Sequence, residues 1–199
     1  MAAEPRTLLS HEEYFALERE SEEKHEYVAG QIFAMVGGSP THSEISANLI
    51  IALGPQLRQR GCKVYTSDLR VTIAHLDIYT YPDVMVVCGE RQLDPRGGGL
   101  LNPTVVIEVL SPATERYDRG KKFMRYQRLS SLREYVLIAQ DYPSIERFAR
   151  LENGQWSWEF ADDLSASIAL PSIACSLSLA EVYAEVAFDE ASDNTLGQI

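Results

Sequence analysis

A chain of 199 residues is long enough for one domain with a sizeable core, and its net charge of −11 argues against indiscriminate binding to a polyanion. Apolar content of 45% and charged content of 24% are ordinary for a soluble globular protein, and no apolar run is long enough to span a bilayer. Met1–Pro5 lacks the basic start and apolar stretch of a signal peptide, so a cytoplasmic protein without a membrane partner is expected.

In chain order, residues 8–24 read as a helix, with Ser10 as cap, Glu13 three residues on, and Tyr14 and Leu17 on its apolar side. Residues 26–35 form a plausible hairpin turning at Gly30. From His42 to Arg60, Ile45, Leu49, Leu53 and Leu57 recur every fourth residue, which predicts an amphipathic helix stopped at Gly61 and kinked or shortened at Pro55. Lys63–Ile73 alternates as a strand or bent strand pair, residues 77–82 read as a turn, and Asp83–Cys88 as an apolar strand. Residues 89–102, holding Gly97-Gly98-Gly99, read as a flexible loop.

Thr104–Leu110 is a Val- and Ile-rich run between Pro103 and Pro112, the pattern of a strand buried on both faces. Ser111–Thr114 ends it and starts a helix reaching about Leu129. Residues 134–139 are a further apolar strand, and Asn153-Gly154 marks a hairpin between 144–151 and 155–160. A short helix over 178–186 closes the domain, and 188–199 is expected to fray. The order predicts an α/β fold, a mixed β-sheet flanked by helices. Cys62, Cys88 and Cys175 are far apart, with no CxxC pair and no even set, so neither a zinc site nor a disulfide framework is suggested; Cys88 and Cys175 read as small apolar fillers.

Charge is unevenly spread. Between Thr114 and Arg133 there are seven basic residues against two acids, a local +5, which leaves −16 for the remainder of the −11 chain. Such a patch is a solvated helix face or a phosphate-facing surface.

The chemistry centres on Glu108, the one charge inside the apolar run. A lone buried carboxylate costs several kcal/mol unless a metal, a lysine or hydrogen bonds compensate. Asp83, at the mouth of the preceding strand, converges on it if the two strands are neighbours. Oxygen ligands from two acids suit Mg²⁺ or Mn²⁺, which lowers the pKa of bound water and stabilises charge on a phosphoryl centre. Lys122 is the better third member. It lies one helical turn after Asp118 at the edge of the apolar face, while Lys121 points outward.

Pro82-Asp83, then Glu108 within Val-Ile-Glu-Val-Leu-Ser-Pro-Ala-Thr, then Tyr117-Asp118-Arg119-Gly120-Lys121-Lys122 ending in Tyr126, resembles the Uma-two family of putative restriction endonucleases, within the PD-(D/E)XK nuclease superfamily. The resemblance extends over about residues 10–187. It implies a restriction-endonuclease-like core with a C-terminal β-hairpin and a metal-dependent endonuclease acting on DNA. Asp83 and Glu108 match the metal-binding acids and Lys122 the catalytic lysine. Leu110 stands where the superfamily pattern places that lysine, so the lysine has moved to the following helix. Glu26 and His42 match further family positions and are additional candidates. Arg119, Lys121 and Arg125 are the expected backbone contacts on DNA, and a homodimer suits the cutting of two strands. The alternative is a catalytically inactive module of the same fold that binds nucleic acid or a protein partner.

Overall fold

Ser10 opens α1 (His11–Glu20) as the pattern requires. Its hydroxyl accepts from the Glu13 backbone N–H at 3.3 Å, and the Glu13 carboxylate accepts from the Ser10 N–H at 2.7 Å. The computed structural model describes residues 8–35 and 37–188. After α1 come β1 (His25–Val28) and β2 (Gln31–Ala34), paired antiparallel around Gly30. Helix α2 (Pro40–Leu57) starts with Pro40 in its first turn, and Ser39 Oγ accepts from the His42 N–H at 3.1 Å. Pro55 falls in its last turn, and the helix stops at Leu57, short of Arg60.

Strands β3 (Cys62–Thr66) and β4 (Val71–Ile73) are the expected bent pair. Residues 77–82 are not only a turn: Ile78–Thr80 forms β5, which pairs with both β1 and β4. Three residues carry no readable period, and it is their central place in that sheet that makes them a strand. Strands β6 (Val84–Cys88) and β7 (Val105–Leu110) follow. The basic segment is one run of α3 (Glu115–Tyr117), a π turn (Asp118–Lys122) and α4 (Phe123–Tyr126). Then come β8 (Glu134–Ala139), β9 (Ile145–Arg150) and β10 (Trp156–Ala161). The last elements are β11 (Ser167–Leu170), β12 (Cys175–Ser178) and α5 (Leu179–Val182).

The main sheet is six-stranded and mixed, in the order β10-β9-β8-β7-β6-β3, with β7 and β8 parallel and joined by the basic helical run. On one face, Ile45, Leu49, Leu53 and Leu57 of α2 pack on Val84, Val86, Val105, Ile107 and Val109, with the β11–β12 hairpin beside them. On the other, Phe123, Tyr126 and Leu129 meet Met85, Val106, Tyr135 and Leu137. The smaller sheet, β2-β1-β5-β4, closes that side. Tyr14 and Phe15 of α1 lock onto Tyr27 and Tyr79 of that sheet with ring centroids 5.0–5.4 Å apart.

Two further expectations are corrected. The segment 89–102 is anchored, not flexible: Leu100 is fully buried, and Asp94 is buried against Arg96. Its glycines serve close approach, since a Cβ on Gly99 would lie 2.1 Å from Thr72 Oγ1 and one on Gly97 2.2 Å from the Phe15 ring. Cys62 and Cys88 face each other across the β3–β6 register, 4.0 Å apart at Cα, and form a disulfide. Sequence spacing hid this pair because the register that apposes them is tertiary. Cys175 is a buried free thiol, as read. The fraying expected of 188–199 falls outside the described residues except for Phe188, which packs on Tyr183 with ring centroids 5.6 Å apart. Among the described residues no helix is long and apolar enough to cross a membrane.

Candidate active site

Strand register builds the first half of the site. Val84 pairs with Ile107 across β6 and β7. One step outward Asp83 lies opposite Glu108, and cross-strand partners project on the same face. Asp83 Oδ2 accepts from the Val109 N–H at 2.7 Å, so its carboxylate replaces the backbone bond at the end of the ladder. Glu108 is 2% exposed, inside a strand buried along its whole length.

The π turn builds the second half. It turns Asp118 and Lys122 inward, and both are buried; such turns recur at functional sites. Lys122 Nζ stands 3.0 Å from Glu108 Oε1, 3.4 Å from Glu26 Oε1 and 3.4 Å from Asp118 Oδ1. Lys121 is exposed on the opposite side, as its helix phase predicts. Tyrosines line the pocket. Tyr126 OH donates to Glu108 Oε1 at 3.2 Å and Tyr117 OH to Glu26 Oε2 at 3.3 Å. Thr80 Oγ1 also donates to Glu26. Tyr135 OH holds the Asp118 carbonyl at 3.0 Å.

Three carboxylates therefore share one ammonium, with a fourth across the strand. Burial pushes the Glu108 pKa well above the usual carboxylate range; the Lys122 charge opposes this only in part, and Asp118 and Asp83 add to it. Asp118 is raised for the same leading reason, burial. Burial alone would lower the Lys122 pKa, but Glu108 and Glu26 outweigh it, so the side chain stays an ammonium. The pocket is short of positive charge. Asp118 Oδ1 is fully buried, and its contact with the Lys122 ammonium at 3.4 Å is an ion pair without a hydrogen bond.

His42 joins this edge from the start of α2, with Nε2 3.3 Å from Asp83 Oδ2. Burial lowers its pKa, but the hydrogen bond and charge of Asp83 more than offset this, and the net shift is upward. The structure thus brings Glu26, Glu108 and Lys122 into contact and places Asp83 with His42 alongside. It does not bring Arg119 or Lys121 into the pocket, whereas Arg125 lines its wall beside Tyr117 and Lys122. Arg119 pairs with Glu115 at 2.7 Å and Glu146 at 2.5 Å. Arg125 donates to Tyr117 OH at 2.6 Å, so it braces the pocket wall. Asp118, Tyr117 and Thr80 were not among the expected site residues. Asp118 read as a helical partner of Lys122 and Tyr126 as the end of the family motif; both touch the site.

Among the described residues, no group of three or more His, Cys, Asp and Glu side chains is gathered closely enough to hold a metal ion by itself. The donor chemistry nonetheless fits a hard divalent cation. The acids offer only oxygen, and the carboxylates outnumber the cations around them.

Comparison with known proteins adds to this geometry. Residues 11–180 match the model of the Uma2 family, described as putative restriction endonuclease. The Synechocystis sp. protein slr1290 is 38% identical over 184 residues, covering 90% of this chain and 94% of its own. A second Synechocystis protein, sll1609, is 33% identical over 150 residues, covering 75% and 85%. Both are named as uncharacterised. A crystal structure from Anabaena variabilis, described as a putative nuclease belonging to DUF820, superposes with a TM-score of 0.71 at 23% identity, covering 88% of this chain and 97% of that one. This last likeness establishes a shared fold.

Proposed function

Since the chain belongs to the Uma2 family of putative restriction endonucleases, we propose that it is a metal-dependent endonuclease that hydrolyses DNA phosphodiester bonds. The observation that carries the reading is the buried Lys122 ammonium held by Glu108, Glu26 and Asp118, with Asp83 opposite Glu108. In this reading Asp83 and Glu108 hold Mg²⁺ or Mn²⁺, which when bound lowers the pKa of water and offsets charge on the phosphate. Lys122 orients the attacking water and lends its charge to the phosphoryl oxygens. Tyr126 fixes the Glu108 carboxylate, and Glu26 and Asp118 hold Lys122 in place as an ammonium. His42 orients Asp83 through Nε2 and can hold a proton there, given its raised pKa. Lys121 is the exposed cation of this turn for the DNA backbone; Arg119 and Arg125 reach phosphate only by exchanging Glu115, Glu146 or Tyr117 for it. A twofold dimer would present two such sites to two strands.

The second reading is an inactive module of the same fold that binds nucleic acid or a protein partner. Leu110 at the usual lysine position and the lack of a ready three-ligand cluster among the described residues favour it. A nicking assay on supercoiled plasmid with Mg²⁺ or Mn²⁺ separates the two. The nuclease reading expects nicking by the wild type and its loss in Asp83→Asn, Glu108→Gln and Lys122→Met. Nicking at equal rates by all four would remove the assignment.

A further inference from the structure

Strand β10 is an edge of the main sheet and carries two large exposed rings. Trp158 and Phe160 are 55% and 51% exposed, and they stack on each other with centroids 5.0 Å apart and planes 20° off parallel. They lie on the face that carries the basic helical run. Trp156, of the same parity, packs on Phe123 of α4 at 5.2 Å, and Trp158 stands opposite Phe148, which also packs on Phe123. A bonded chain joins the pair to the candidate site. Trp158 Nε1 donates to Glu146 Oε2 at 3.0 Å, and Glu146 Oε1 accepts from Arg119. Arg119 belongs to the π turn that carries Lys122. The indole N–H is therefore satisfied, and what remains open is a flat aromatic surface.

Charge selects the occupant. Arg119 is shared between Glu115 and Glu146, and the positive surface along the helix comes from exposed Arg116, Lys121 and Arg128. Glu159, in the middle of β10, projects from the other face toward Arg147. A charge at that place in an edge strand discourages pairing with a second copy. Every nucleobase offers a π face, and stacking on aromatic side chains next to a basic track is how unpaired nucleic acid is held. We propose that Trp158 and Phe160 are a stacking platform for unpaired bases of a DNA strand whose phosphates follow the basic helix toward Lys122. This makes single-stranded or locally unpaired DNA the preferred substrate. It rests on the nucleic-acid reading of the same site.

The test is binding of a fluorescein-labelled oligothymidylate and of a blunt duplex of equal length to the full chain in EDTA, read by anisotropy and tryptophan emission. The expected result is tighter binding of the single strand, with quenched emission. Trp158→Ala should weaken single-strand binding by roughly fivefold to a hundredfold, and Trp158→Phe should retain it where Trp158→Leu does not. Equal binding of both forms with no effect of Trp158→Ala overturns the platform and leaves the nuclease reading standing. Binding of neither form overturns the platform, and the nicking assay with Mg²⁺ or Mn²⁺ then decides the nuclease reading. Sedimentation decides the remaining case: a dimer broken by Trp158→Ala with oligonucleotide binding unchanged assigns the rings to an interface between copies and overturns the proposal.

Discussion

Glu108 and Lys122 are unequal partners, and the inequality has measurable consequences. Removing the ammonium leaves three buried or nearly buried carboxylates facing one another. Lys122→Met should therefore cost about 3–5 kcal/mol in a urea denaturation, the usual effect of orphaning buried charge. Glu108→Gln keeps the shape and removes the charge least tolerated there, so its midpoint should match or exceed the wild type without metal. The pH dependence follows from the same shifts. Glu108 and Asp118 have folded pKa values raised above the unfolded ones, burial being the main cause. Their contribution is full below the ordinary carboxylate pKa and is lost as pH rises through the raised values. Metal-free stability should thus decline on the alkaline side of the carboxylate range, and Glu108→Gln should flatten the decline. Mg²⁺ needs the ionised carboxylates, so the rise in melting temperature that it causes should grow with pH; a pH-independent rise would contradict this. Glu108 was legible in the sequence because a lone charge in an apolar run demands a partner. Asp118 was not, because nothing in a helical i, i+4 spacing separates a surface pair from one buried beside Glu108 and Tyr135.

At the scale of elements, periodicity decided what could be read. The four-residue spacing on α2 put Ile45, Leu49, Leu53 and Leu57 in the core, each at most 2% exposed. Leu53→Ala should cost about 2–5 kcal/mol. The strand β5 went unread because it is only three residues long; the C-terminal β-hairpin was expected and is β11–β12, Ser-rich with Ile168, Leu170, Cys175 and Leu177 turned into the core. Gly97-Gly98-Gly99 was legible as a loop but not as an anchored one, because its clearance from Phe15 and Thr72 exists only after folding. Gly99→Ala should lower stability by about 1–3 kcal/mol through overpacking against Thr72. A urea midpoint equal to wild type would show that this loop yields easily.

At the scale of the whole molecule, the helical run between β7 and β8 carries the exposed cations Arg116, Lys121 and Arg128 on a chain that is at −11. The family match over residues 11–180 and the shared fold bear out the family and the fold class read from the sequence. The crossing of Asp83, Glu108 and Lys122 at one end of the sheet comes from the β6–β7 register and the inward π turn. The proposed hydrolysis requires that crossing to take up a divalent ion, and the most direct test needs no substrate. Mn²⁺ titrated calorimetrically into the full chain should bind at one site per chain, and Asp83→Asn and Glu108→Gln should each weaken it at least tenfold. Binding of equal strength in all three proteins, or none in the wild type, would contradict the account.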